Sequence, residues 1–188
     1  MAAILGLEDE KIESLCHQAS DASTSVWPAN YNCPGQLVVA GHKAAVERLI
    51  ELAKEAGAKR ALPLQVSAPS HTPLMQAAAD QLQQRLADVN IEPPKIPVWS
   101  NALATPLNNS AAIRDALTRQ LISPVRWSET VRNMHTLKVT QAVEMGPGKV
   151  LAGIVRRVER GLSVHASDNS EAMDKAIAAI RQEGDSHD

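Results

Sequence analysis

Residues 2–66 alternate between strand and helix periodicity in an order that limits the folds open to this chain more than any other feature. Residues 2–5 are a short apolar run of strand length, and residues 8–19 then carry Ile12, Leu15, Cys16 and Ala19 at helical spacing. Residues 26–32 and 36–40 read as extended segments broken by Cys33-Pro34-Gly35, a hairpin connection. Gly41-His42 leads into a second helix with Ala45, Val46, Leu49, Ile50 and Leu52 on one side, and Gly57 stands where a helix is expected to end. Residues 60–66 supply a fourth strand. Strand, helix, strand, strand, helix, strand is the order of the split βαβ or ferredoxin-like unit, an α+β subdomain expected over residues 1–67.

After Pro69 the pattern changes. Residues 74–89 read as an Ala- and Gln-rich helix, Pro93-Pro94-Lys95-Ile96-Pro97 as a stiff connector, and residues 98–101 as a short strand. Helices over 110–121 and 128–134, a strand at 141–145, a helix after Gly148 and a last short strand and helix to Arg181 follow. Such alternation favours an α/β layered sheet over residues 68–188. It offers about three strands where doubly wound sheets have around 5 or 6, so the remaining strands are expected upstream of Met1.

The core of such a fold must be aliphatic, because the 188 residues contain no Phe, one Tyr and three Trp. A net charge of −2 provides no basic stripe to neutralise phosphates, which argues against nucleic acid as a partner. Two cysteines, Cys16 and Cys33, make neither a disulfide framework nor a zinc site, and a reducing cytoplasm is the expected compartment. No stretch approaches the roughly 20 apolar residues of a bilayer span, and the apolar opening lacks the basic flank of a secretory leader, so no membrane is expected as a partner.

His71, in the run Val66-Ser67-Ala68-Pro69-Ser70-His71-Thr72-Pro73-Leu74-Met75, is the candidate base, since an imidazole titrates near neutrality and can take a proton from a hydroxyl. Taken alone, a loop histidine is more often a hydrogen-bonded structural residue. Asn30 and Asn32 lie two apart on an extended segment and so share a face; turn chemistry before Pro34-Gly35 is an equal reading. Gly146-Pro147-Gly148-Lys149 lacks the spacing of a phosphate loop and is assigned to a strand-to-helix turn. His17, His42, His135, His165 and His187 show no metal-ligand spacing, so no metal is expected. Arg156, Arg157 and Arg160 form a basic helix face that suits an acidic partner, although a solvated face is the simpler reading.

The His71 run, with Asn30-Tyr31-Asn32-Cys33-Pro34-Gly35-Gln36 before it and Glu144-Met145-Gly146-Pro147-Gly148-Lys149-Val150-Leu151 after it, resembles the malonyl-CoA:acyl carrier protein transacylases of fatty-acid synthesis. Ala58-Lys59-Arg60-Ala61-Leu62-Pro63-Leu64 and Ala112-Ile113-Arg114-Asp115-Ala116-Leu117 extend the similarity over essentially the whole chain. The resemblance implies a ferredoxin-like subdomain followed by the C-terminal part of a large α/β-hydrolase-like acyltransferase subdomain. It implies that His71 faces a nucleophilic Ser and that the main-chain carbonyl of Gln120 orients its ring. Asn32, with Asn30, would lie by the substrate cleft. The implied partners are malonyl-CoA and acyl carrier protein, with no cofactor.

The chain contains no Gly-x-Ser-x-Gly. The family's Gly-Gln-Gly-Ser-Gln segment, its Gly-His-Ser-Leu-Gly elbow and the Arg that pairs with the malonyl carboxylate likewise have no counterpart. Without the Ser no acyl-enzyme forms, and without the elbow amide no oxyanion hole. The chain is therefore expected to lack an N-terminal half and to be inactive alone. An acyltransferase domain of a polyketide synthase is the alternative enzyme, and Ala68-Pro69-Ser70 matches its common patterns poorly. A ferredoxin-like module that binds a carrier protein without catalysis is the alternative from another class.

Overall fold

A computed structural model of the chain describes residues 1–184, so His187 lies outside the described residues. Two compact units divide it, Met1–Thr130 and Val131–Asp188.

In the first unit, β1 (Ala2–Leu5), α1 (Asp9–Ala19), β2 (Val26–Cys33), β3 (Gln36–Gly41), α2 (Lys43–Glu55) and β4 (Arg60–Pro63) follow the expected order. They build an antiparallel sheet in the order β2-β3-β1-β4, the ferredoxin-like arrangement. The reason is alternation: Ala2 and Ile4 of β1 and Leu37 and Val39 of β3 point to one face, where they meet Ile12, Leu15 and Cys16 of α1 and Val46, Leu49 and Ile50 of α2. Ile4, Ile12, Leu37, Leu49 and Val39 are the largest wholly buried side chains, so the core is aliphatic as the missing Phe requires. Tyr31 packs at its margin and donates to Glu13 Oε1 at 2.6 Å; burial first, and then Glu13, push its phenol pKa up.

α2 closes with a paired motif: the Ala58 amide donates to Ala53 O and the Gly57 amide to Lys54 O, at 2.9 and 3.0 Å. Gly57 takes the left-handed φ of 89° that this ending needs. The fourth strand is shorter than expected, ending at Pro63 rather than residue 66, because β1 pairing ends with Ala2 opposite Pro63. One more bond joins the Leu64 amide to Met1 O, after which the chain leaves the sheet. Arg48 locks α2 to the α1–β2 loop through Ala19 O, Thr24 Oγ1 and the Asp21 carboxylate. Asp21 accepts from the amide and hydroxyl of Ser23 and from the Thr24 amide, which together hold its carboxyl well below the usual range.

The unit continues with a 3-10 turn (Pro73–Met75), α3 (Gln76–Ala87), β5 (Val98–Ser100), β6 (Thr105–Leu107) and α4 (Ser110–Ile122). The 3-10 turn replaces the first residues of the expected helix, where Pro73 cannot donate. β6 was not foreseen: it is three residues long, carries Pro106 and pairs antiparallel with β5 through a turn in which Ala104 has φ 53°. β5 and β6 thus form their own two-stranded sheet, where the alternation had suggested membership in one layered sheet.

α5 (Trp127–Thr136) runs across the division of the chain. The second unit pairs β7 (Gln141–Met145) in parallel with β8 (Ser163–Ser167), connected by α6 (Val150–Val158) and followed by α7 (Ser170–Gly184). Arg156 and Arg157 are exposed on α6, but Arg160 lies past its end. The Glu144 side chain, at the end of β7, reaches over the turn and accepts from the Leu151 and Ala152 amides at 2.9 and 2.8 Å. It thereby caps the first turn of α6, whose donors would otherwise be orphaned. Gly146 and Gly148 have φ of 115° and 92°, which lets the chain reverse within so few residues. This helix end is filled by the protein's own carboxylate, which explains physically why the Gly-Pro-Gly-Lys run is a turn and no phosphate cradle.

Glu144→Ala should strip the cap and weaken the second unit by about 1–2 kcal/mol. Hydrogen exchange would show it as lost protection at Leu151 and Ala152, with the β1–β4 sheet unchanged. Burial, aided by Glu13, pushes the Cys16 thiol up to about 12 from 9.0. Iodoacetamide at pH 8 should therefore alkylate Cys16 at least about a hundredfold more slowly in the folded chain than in urea, read by mass spectrometry. Between about 9 and about 12 the folded chain keeps a proton that the unfolded chain gives up, so this group makes stability fall as pH rises through that window.

Candidate functional site

The C-terminal end of α4 organises the site. Its last carbonyls have no intrahelical partner and carry the negative end of the helix dipole. Two of them receive His71: the Gln120 carbonyl lies 2.7 Å from His71 Nδ1, and the Leu121 carbonyl accepts the His71 amide at 3.0 Å. A carbonyl oxygen only accepts, so Nδ1 carries a proton and, in the neutral ring, Nε2 keeps its lone pair. The structure therefore brings His71 and Gln120 into direct contact across 49 residues of sequence.

His71 has φ 65°, a left-handed conformation that a side-chain-bearing residue holds only when its surroundings enforce it. The adjoining Thr72 is wholly buried; its hydroxyl donates to Pro69 O at 2.7 Å, and its carbonyl accepts the Met75 amide at 3.0 Å to open the 3-10 turn.

α4 is itself fixed at several points. The Asn109 side chain accepts the Ala112 amide at 2.8 Å and caps its start. Arg114 donates to Leu86 O in the last turn of α3 and to Val89 O just past it, tying α4 to the end of α3. Past the end of α4, Val125 lies along the outer edge of β2, taking the Tyr31 amide at 2.8 Å and donating to Ala29 O at 2.8 Å. Arg126 holds that crossing with Nε and Nη2 on the Glu129 carboxylate at 2.8 and 2.6 Å, while its amide donates to Asn101 O.

Asn30 sits at this crossing, bridged to Val125 on one side and opposite Val38 on the other. Asn32 is unpaired in a bulge between Tyr31 and Cys33, and this breaks the strict alternation behind the expectation that Asn30 and Asn32 share a face. Both side chains are half-buried. Leu121, Val125 and Thr72 were missed from sequence because two of them act through main-chain atoms, which no side-chain motif reports. The one available signal for Thr72 was a hydroxyl residue just before Pro73, a start suited to a tight turn.

Three of the other histidines have partners elsewhere. His42 Nδ1 accepts the Ser25 amide at 3.0 Å, His165 Nε2 meets Gln141 Oε1 at 3.2 Å, and His135 Nε2 is 3.9 Å from Glu159 Oε1. Among the described residues no three His, Cys, Asp or Glu gather as for a metal ion, and no helix is long and apolar enough to cross a membrane.

A protonated Nδ1 on a helix-end carbonyl with Nε2 left as acceptor is an arrangement suited to taking a proton from a hydroxyl or thiol. Comparison with known proteins identifies the relatives of this chain. The malonyl CoA-acyl carrier protein transacylase of Escherichia coli K12 is 47% identical over 177 residues, covering 94% of this chain and 57% of its own length. The crystal structure of the malonyl-CoA:acyl carrier protein transacylase of Xanthomonas oryzae superposes with a TM-score of 0.91 at 42% identity, covering 95% of this chain and 56% of that one. A malonyl-transacylase solved in complex with a type II PKS acyl-carrier protein gives 0.91 at 43% identity, covering 95% and 57%. The chain thus spans little more than half the length of these relatives. The acyl transferase domain family matches residues 2–184, nearly the entire sequence, and the chain belongs to that family.

Proposed function

We propose that this chain is the histidine-bearing part of an acyl carrier protein S-malonyltransferase of fatty-acid biosynthesis, with malonyl-CoA and acyl carrier protein as its partners. The observation that carries the reading is the 2.7 Å contact of His71 Nδ1 with the Gln120 carbonyl, which leaves Nε2 as the base. The names of its relatives support the substrate class. Nε2 takes the proton of a Ser hydroxyl as the oxygen attacks the malonyl thioester, then gives it to the departing coenzyme A thiolate. In the second half Nε2 takes the proton of the phosphopantetheine thiol as sulfur attacks the malonyl ester, and returns it to the Ser oxygen. Asn30 and Asn32, on the ferredoxin-like subdomain of residues 1–67, are proposed to line the substrate side of this site, and the large acyltransferase subdomain is proposed to begin at residue 68.

No Gly-x-Ser-x-Gly occurs in the 188 residues, so the nucleophile must come from polypeptide outside them. Pure residues 1–188 should accordingly transfer no malonyl from malonyl-CoA to acyl carrier protein. Fusion to the part of the Escherichia coli relative that the match leaves out should create transfer, followed as labelled malonyl-acyl carrier protein. His71→Ala in that fusion should lower kcat by at least about a hundredfold, the usual contribution of a positioned base. Transfer by the isolated chain, or full activity of the His71→Ala fusion, would refute the proposal. Carrier-protein binding that survives His71→Ala, with no fusion ever active, would instead point to the non-catalytic module, for which the closed core of the four-stranded sheet is the supporting feature.

A further inference from the structure

We propose that Thr72 is a positioning residue for His71, acting through the turn that carries the imidazole. The left-handed φ of 65° at His71 has to be enforced, and the two sides of the residue are held by different devices. On one side, the His71 amide hangs from the Leu121 carbonyl at 3.0 Å. On the other, Thr72 is buried to 0% exposure, and its hydroxyl reaches back past His71 to the Pro69 carbonyl at 2.7 Å. That bond closes a ring around Ser70 and His71. The Thr72 carbonyl then takes the Met75 amide at 3.0 Å, which anchors the ring to the start of the 3-10 turn.

A buried hydroxyl is retained only where it is bonded, and here its one acceptor among the described residues is the carbonyl that sets the turn. Loosening the turn lets His71 relax towards negative φ, which swings the ring away from the end of α4. Nδ1 then loses the Gln120 carbonyl, and with it the preference for the Nδ1-protonated tautomer. The inference rests on the reading of His71 as a base, but the tautomer it governs is measurable with no reaction under way.

The test uses the full 188-residue chain labelled with 15N, with His71 ring signals identified by their loss in His71→Gln. Long-range 1H–15N correlation at a pH where the ring is neutral should show the proton on Nδ1. Thr72→Val keeps the shape and removes the hydroxyl; it should move the tautomer ratio about fivefold towards Nε2–H, as expected for loss of one ordinary hydrogen bond. Thr72→Ser restores the hydroxyl and should restore the wild-type ratio. A wild-type ratio in Thr72→Val with an unchanged amide spectrum for β1–β4 would overturn the proposal, as would a Thr72→Ser chain that behaves like Thr72→Val. If Thr72→Val does not fold, Thr72→Ser decides: a wild-type ratio supports the hydroxyl's role, and a shifted one assigns it to the methyl group and overturns the proposal. Failure of the catalytic reading would appear separately, as full activity of the His71→Ala fusion with the tautomer result intact.

Discussion

The unsatisfied carbonyls at the end of α4 are what the site is built on. A helix must leave its last carbonyls without internal partners, and here that obligation is met by His71 from two directions, through its amide and its ring. The same bonds that complete the helix hold an unfavourable backbone conformation at His71 and decide which ring nitrogen is free. Helix termination, backbone strain and proton placement are thus one arrangement. No buried carboxylate is needed to fix the tautomer, because the carbonyl can only accept.

The rest of the first unit serves to keep that helix end in place. Asn109 fixes the start of α4, Arg114 ties its middle to α3, and Val125 stitches the segment after it to the outer edge of β2. The edge of the ferredoxin-like sheet is therefore covered at Ala29–Tyr31 by the segment that follows the helix end holding His71. A free edge there would present open main-chain groups to other chains, so the stitch removes a liability while it orients the site.

The second unit repeats the theme with a different donor set. Glu144 fills the start of α6 with its own carboxylate, so a run that superficially suggests anion binding is self-satisfied. In both units a helix end is completed by a residue outside that helix, beyond the four-residue reach of its own hydrogen bonds. His71 is 49 residues from Gln120 and Glu144 is seven from Leu151, which is why local pattern alone did not reveal either contact.

The sequence by itself determined the order of the first six elements, because their apolar spacings switch period where the chain changes direction and every switch is marked by a turn residue such as Gly35 or Gly57. It also determined an aliphatic core, since no Phe was available, and marked His71 as a candidate base, whereas Gln120 followed only from the family resemblance. What only the tertiary structure decided is how those candidates relate. The bulge at Asn32 comes from pairing with β3, β6 exists only because β5 lies beside it, and β4 stops where its partner does. Leu121 and Val125 act through main-chain atoms, and the left-handed turn at His71 is imposed by a helix end that lies far along the chain. Spacing along a sequence records which side chains share a face, whereas a carbonyl aimed at an imidazole is a property of two segments brought together by folding.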